Sequence, residues 1–416
     1  MEHISQPLRV QQSQQQTGTT GPLIIITILF FMWGLLTALN DVLIPHLKAL
    51  YTLNYVQAML VQFCFFGAYF LVSLPAGMLI KKIGYQNGAV TGLVIAAGGC
   101  ALFYPASNSG YTLFLVGFFV LAAGITILQV AANPYVTVLG DPRTASSRLS
   151  LTQAFNSVGT TIAPALGGFL ILSAAAHAAG PAAAVQKPYL ALAGALLLLA
   201  VLFAFARLPK IEHADDVDVH LDSATRSSVL SHPHLLMGTI GIFLYVGGEV
   251  SIGSFLINFF GEPNIAALAP ADAAHYVSYY WGGAMIGRFI GFFIMRHVSP
   301  GKALAFNAAV SIGLVLVAIF GHGQAAMWAI IAVGLCNSIM FPTIFSMALY
   351  RLGKFTGQAS GILCMAIVGG AVVPFIQGAL ADSIGLQWSF FVPVVCYVFI
   401  LYFGLRFRAL YQKTAH

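Results

Sequence analysis

Twelve apolar stretches, each about as long as a bilayer-spanning helix, follow one another along this chain. They run near 22–48, 55–80, 87–106, 110–140, 148–173, 188–208, 234–260, 273–296, 301–320, 324–351, 356–380 and 387–409, cut at polar or charged interruptions. A helix needs roughly 20 apolar residues to cross hydrocarbon, and a spanning segment must satisfy its own backbone groups. Only 7% of the 416 residues are charged, whereas a soluble fold carries about a quarter. The chain therefore reads as an all-α membrane protein with twelve transmembrane helices. The fourth and tenth stretches are long enough to invite a tilt or a kink.

Orientation follows from Lys and Arg, which concentrate in cytoplasmic segments. With the N-terminus inside, fifteen of the eighteen cations fall on that side, among them Lys81, Lys82, Arg143, Arg148, Arg296, Lys302, Arg351 and Arg406. Only Lys48 and Lys187 fall outside, and Arg288 alone is left within a span. Both termini are expected to be cytoplasmic. The net charge of +6 is then a topology signal and not a nucleic-acid surface. Residues 1–21 are polar and Gln-rich, and read as a disordered cytoplasmic tail that lacks the features of a cleavable signal.

Residues 209–233 form a hydrophilic cytoplasmic linker between an N-terminal six-helix bundle at 22–208 and a C-terminal one at 234–416. The halves echo each other at a shift of about 210 residues: Gly159 to Pro164 aligns with Gly369 to Pro374, and Pro134 with Pro342. Two parallel repeats joined in this way are how secondary transporters build a central site at the repeat interface.

An ionisable group at membrane depth is costly and normally faces the bundle interior or a water-filled cavity. Asp41 and Glu249 are the carboxylates that these boundaries place well inside spans. Burial disfavours the charged form of a carboxylate, so both are candidate cation-coupling groups. Amides cluster at helical spacing: Gln129 with Asn133 on the fourth span, Gln153 with Asn156 on the fifth, and Asn40 beside Asp41. Tyr245, Glu249, Asn258, Trp281 and Asn337 come from the other half as further candidate substrate contacts. Amides offer donors and acceptors to a polyhydroxylated ligand, and aromatic faces stack on a sugar ring. A lone amide in a membrane helix is more often packing glue.

Gly77, Lys81, Lys82 and Gly84 lie in the turn between spans two and three, where the glycines would permit a tight turn and the lysines hold it at the headgroups. Gly283, Gly287 and Gly291 share one face of the eighth span, and Arg288 is read as a structural anchor of the cytoplasmic end. The five cysteines lie in apolar segments without metal-ligand spacing and read as packing residues. No HExxH and no nucleophile–base constellation occurs, so an enzyme is not expected, and no cofactor or metal site is implied.

The turn Gly77-Met-Leu-Ile-Lys81-Lys82-Ile-Gly84 resembles the loop signature of the major facilitator superfamily, without its usual acidic residue. The segments LNDVLIP (39–45), AANPYVTVLG (131–140), RLSLTQAFNSVGTTIAP (148–164), FLYVGGEVSIGSFLINFF (243–260) and FPTIFSMAL (341–349) resemble the fucose permease and glucose/galactose transporter branch of that superfamily. The resemblance implies two six-helix bundles around a central cavity, alternating access, and a monomer in a bacterial inner membrane. It also implies a carboxylate on helix 1 at Asp41, a polar pair on helix 5 at Gln153 and Asn156, and an acid on helix 4 where this chain has Gln129. The expected function is cation-coupled import of a neutral hexose of the glucose/galactose kind. H⁺ is preferred to Na⁺ because proton coupling needs only one suitable carboxylate. Alternatives are a fucose or N-acetylglucosamine transporter, or an exporter of drugs or metabolites.

Overall fold

A computed structural model describes residues 20–51, 55–139, 141–167, 185–206, 229–268 and 270–410. Residues 1–19 of the tail and 207–228 of the linker lie outside the described residues. Asn40, Asp41, Pro45 and Gln62 are described only as backbone within helices, so the positions of those side chains lie outside the description too.

Fourteen α-helices make up most of the described residues: α1 (Thr20–Leu50), α2 (Tyr55–Ser109), α3 (Tyr111–Val138), α4 (Ala145–Gly167), α5 (Gln186–Phe205), α6 (Pro233–Gly261) and α7 (Pro270–Ile294), then α8 (Pro300–Phe320), α9 (Gly323–Asn337), α10 (Met340–Ala348), α11 (Thr356–Met365), α12 (Gly369–Ile384), α13 (Leu386–Ser389) and α14 (Phe391–Arg406). They make twelve passages. Eight helical stretches are long and apolar enough to cross a membrane, and one of them, Phe63–Ser109, reverses direction and crosses twice. The apolar stretch Leu23–Leu39 marks the first passage. The less apolar α4 and α7 complete the set. In the tenth passage α9 and α10 are separated only by Ser338 and Ile339, and in the eleventh α11 and α12 only by a 3₁₀ turn at Ala366–Val368. The protein is a multi-pass membrane protein. The span boundaries read from the sequence hold to within a few residues, the fifth passage being described to Gly167.

The reversal in α2 sits at Gly84, whose φ of 82° and ψ of 167° suit glycine alone. Beyond it the chain folds back so closely that a Cβ at Gly88 would lie 2.7 Å from the Ile80 side chain. Gly77 does something other than the turn expected of it. A Cβ there would lie 2.8 Å from the carbonyl oxygen of Gly357 in α11, and a Cβ at Gly361 would lie 2.6 Å from that of Ser73. This glycine face seats the second passage against the eleventh, which belongs to the other half. Lys81 and Lys82 are exposed beside the turn.

Within each half the repeat is visible as one backbone contact made twice. Gly159 of α4 lies against the carbonyl of Phe31 in α1, and Gly369 of α12 lies against the carbonyl of Phe243 in α6. Residues 159 and 369 are the aligned glycines of the sequence repeat. Neither position has room for a methyl group. Between the halves, α4 packs on α7 and α10, and α11 packs on α2 and α3. The polar contacts gather towards the end that carries Lys81, Lys82, Arg143 and Arg351, here called the basic end: Ser146 Oγ meets Ser346 Oγ at 2.5 Å, and Ser147 Oγ donates to Phe292 O at 2.6 Å.

Gly159→Ala and Gly369→Ala should each lower the thermal midpoint of the purified protein in detergent, by the equivalent of about 1–3 kcal/mol of overpacking. Gly98→Ala and Gly194→Ala, where a Cβ meets nothing within 4 Å, should leave it unchanged or raised. Equal shifts at all four positions would contradict this account.

Candidate substrate and coupling site

Proline removes a backbone donor, so the carbonyl four residues earlier loses its helical partner. Pro134 in α3 frees Val130 O in this way, and Pro342 in α10 frees Ser338 O. No water is available in hydrocarbon to replace the lost donor. Both carbonyls find one elsewhere. Ser360 Oγ of α11 donates to Val130 O at 2.9 Å, across the two halves. Arg288 Nε of α7 donates to Ser338 O at 3.2 Å.

Arg288 continues across the interface. Its Nη1 donates to Gln153 O of α4 at 3.3 Å and to the hydroxyl of Ser157. The residue read as an anchor of the basic end therefore bridges both halves beside the fifth-passage amides. Its half-buried position and its planar fork of donors suit that task. Gly287 is buried beneath it, where a Cβ would lie 2.7 Å from Leu335 O, so α7 and α9 approach closely.

Three tyrosines of the C-terminal half converge on Asn337, at the end of α9. Tyr280 OH of α7 accepts from Asn337 Nδ2 at 2.8 Å, and Tyr397 OH of α14 donates to Asn337 Oδ1 at 2.7 Å. Tyr245 OH of α6 lies 2.7 Å from Glu249 Oε1 and 3.0 Å from Asn337 O. Asn337 and the three tyrosines are buried. Both ends of the Asn337 amide are thus engaged within the protein. Sequence reasoning overlooked Tyr280 and Tyr397, although tyrosines in two late apolar spans were a usable signal. It also overlooked Ser360, whose role depends on Pro134.

The N-terminal half is organised differently. Gln129 and Asn133 in α3 and Gln153 in α4 are all buried. Gln129 Oε1, both polar atoms of the Asn133 amide and Gln153 Nε2 have no hydrogen-bond partner among the described residues. Asn156 Nδ2 donates to Phe30 O of α1 at 3.0 Å, which ties the fifth passage to the first. Asn258 is exposed and stands apart from the Asn337 cluster. Trp281 is 43% exposed, with its ring seated on Gly253 of α6.

Twelve passages in two matched halves, joined through polar contacts at one end and carrying buried amides and a half-buried acid, define a membrane transporter. Residues 23–366 match the Major Facilitator Superfamily, and the chain belongs to that superfamily, in its fucose permease and glucose/galactose transporter branch. It is 57% identical to the glucose/galactose transporter of Brucella abortus, over 96% of this chain and 97% of that one. It is 34% identical to the L-fucose-proton symporter of Escherichia coli, over 93% of both chains. A crystal structure of FucP, the fucose:proton symporter of that bacterium, in the outward conformation superposes with a TM-score of 0.84 at 34% identity, covering 94% of this chain and 99% of that one.

Arg288→Lys keeps the charge but cannot span carbonyls on two helices. A cysteine at Ala145, buried at the basic end, should react about tenfold faster with a hydrophilic maleimide in the Arg288→Lys background, the native cysteines being replaced by serine. The expected size is that of losing a hydrogen bond from a charged donor. An unchanged labelling rate would remove Arg288 from the closure.

Proposed function

We propose that this protein is a secondary active importer of a neutral hexose of the glucose/galactose kind, coupled to H⁺. The carrying observation is the unpartnered amide chemistry of the N-terminal half. A buried polar atom without a partner costs about 1–3 kcal/mol, and four such atoms lie on the amides of Gln129, Asn133 and Gln153, each of which calls for a partner. A polyhydroxylated sugar supplies the missing donors and acceptors. The names of the Brucella abortus and Escherichia coli relatives, a glucose/galactose transporter and an L-fucose-proton symporter, support sugar as cargo and H⁺ as the coupled ion.

In this reading Gln129, Asn133, Gln153 and Asn156 bind hydroxyls, and Trp281 offers a ring face from the other half. Asp41 on α1 and Glu249 on α6 take up the coupling cation. A protonated acid is tolerable when the cavity closes, whereas a bare carboxylate is not. With the basic end on the cytoplasmic side, the polar contacts there would form a closed inner gate, as expected of an outward-facing state. Rocking of residues 22–208 against 234–409 would open it. The protein would act as a monomer in a bacterial inner membrane, with both termini in the cytoplasm.

Three measurements in proteoliposomes test this. Asp41→Asn should abolish proton-driven uptake of labelled glucose while counterflow exchange persists; driven uptake at the original rate would exclude Asp41 as the coupling group. Uptake should collapse with the proton gradient and ignore a sodium gradient, and the reverse result would make Na⁺ the coupled ion. Gln153→Ala should raise the KM for glucose roughly tenfold, the size of one or two lost hydrogen bonds. If no hexose competes with labelled glucose, the sugar reading falls.

A further inference from the structure

We infer that Tyr245 and Arg288 are positioning residues that carry the proton occupancy of Glu249 to the break in the tenth passage. The inference rests on the reading of Glu249 as a coupling acid.

Tyr245 has one O–H proton and two acceptors within reach, Glu249 Oε1 at 2.7 Å and Asn337 O at 3.0 Å. An ionised carboxylate is the stronger acceptor and holds that proton. A protonated Glu249 becomes a donor itself. It can then donate to the Tyr245 oxygen, and Tyr245 turns its own proton to Asn337 O. The incoming proton stays on Glu249 and Tyr245 keeps its own, so nothing but hydrogen-bond direction changes along the chain. Asn337 cannot turn away in response, because Tyr280 and Tyr397 grip its amide.

The next carbonyl along is held by a cation whose charge reaches the same acid. Ser338 O is the one freed by Pro342, and Arg288 holds it. Arg288 is also the cation within electrostatic reach of Glu249. The other titratable groups facing Glu249 are Tyr245 on its own helix, Tyr280 on α7 and Tyr397 on α14, while α14 sets Cys396 against neighbouring Gly248. Of the segments that also pack on α6, Met340–Ala348 has no titratable side chain, while Thr356–Met365 carries Cys364 and Gly369–Ile384 carries Asp382, neither of them among the groups that act on Glu249. Two consecutive carbonyls at the helix break, Asn337 O and Ser338 O, are therefore held by the two side chains that answer to the charge of Glu249.

The sequence repeat shows that this arrangement is not the default for a proline-freed carbonyl. In the N-terminal half the matching carbonyl, Val130 O, is held by an uncharged donor, Ser360 of α11. The repeat mate of Ser360, 210 residues earlier, is Ser150 of α4. Ser150 is fully buried and its Oγ has no partner. Arg288 has taken the carbonyl that the repeat would assign to Ser150. Ser150 lies on α4, which packs on α10 from the opposite half, and it is an unpartnered hydroxyl that Ser338 O could turn to once Arg288 lets go. A break held by a charge on one side and a spare hydroxyl on the other is a two-position element, which is what coupling of a proton to a conformational change requires.

The test compares Tyr245→Phe, Tyr280→Phe, Glu249→Gln and the double variant Tyr245→Phe/Glu249→Gln in proteoliposomes, reading proton-driven uptake of labelled glucose, counterflow, and uptake across a pH series. Tyr245→Phe should lower the ratio of driven uptake to counterflow about tenfold, the size of one charge-assisted hydrogen bond, and flatten the pH profile. Tyr280→Phe also loses a bond to Asn337 but does not touch Glu249, and should keep the ratio. The double variant should match Glu249→Gln alone, because both changes cut one chain. If Glu249→Gln uncouples but Tyr245→Phe keeps the ratio and the pH profile, the relay is overturned while Glu249 remains a coupling acid. If Glu249→Gln keeps driven uptake, that reading fails and the relay with it. Parallel losses of ratio in Tyr245→Phe and Tyr280→Phe would mark the hydroxyls as structural and overturn the relay.

Discussion

A carbonyl at membrane depth cannot turn to water, and much of this structure follows from that. Among the prolines of the described helices, Pro134 and Pro342 each leave a carbonyl without its helical donor that is then supplied with one from elsewhere. Ser360 and Arg288 are those donors. One lies in the opposite half, and the other reaches across to it through Gln153 O and Ser157. The closure of the basic end is thus partly a by-product of repairing two helices. The glycines at 77, 357 and 361 bring the backbones near enough for such short side chains to serve.

The two halves divide the labour unequally. Around Asn337 in the C-terminal half, polar atoms are used up internally: three tyrosines, one asparagine and Glu249 satisfy one another. In the N-terminal half, amide atoms of similar burial have no partner among the described residues. Under the proposed function, sugar recognition therefore belongs mainly to α3 and α4. In the same reading, proton sensing in the C-terminal half would fall to the network around Asn337, apart from the sugar. The two meet at Arg288, which holds a carbonyl of each half at once.

The sequence was most informative where chemistry forces a pattern. The twelve passages, their ends and the matched halves were legible because apolar length and basic interruptions are physical requirements of a bilayer. The glycine pair 159 and 369 was legible as a repeat but not as backbone contacts, since spacing says nothing about the facing helix. Gly77 was read as part of a turn, and Gly84 alone carries that turn. Arg288 was seen as a lone cation inside a span, yet its bridging role depends on where α4 lies, which no local pattern encodes. The uses of Val130 O and Ser338 O could have been sought by asking which carbonyl each proline frees. That question converts a residue type into an unpaired atom at a known position.

The closure described at the basic end is shallow. Three serine hydroxyls, at Ser146, Ser147 and Ser360, supply much of its hydrogen bonding alongside Arg288. Each such bond contributes only about 0.5–1.5 kcal/mol. By contrast, the backbone contacts inside each half, at Gly159 and Gly369, leave no room to yield. The halves are stiff levers on a weak catch. A ligand bound at only millimolar affinity releases about 4 kcal/mol, enough to compete with the catch. Speed in such a machine comes from weak contacts between halves, and tightening them would trade turnover for stability.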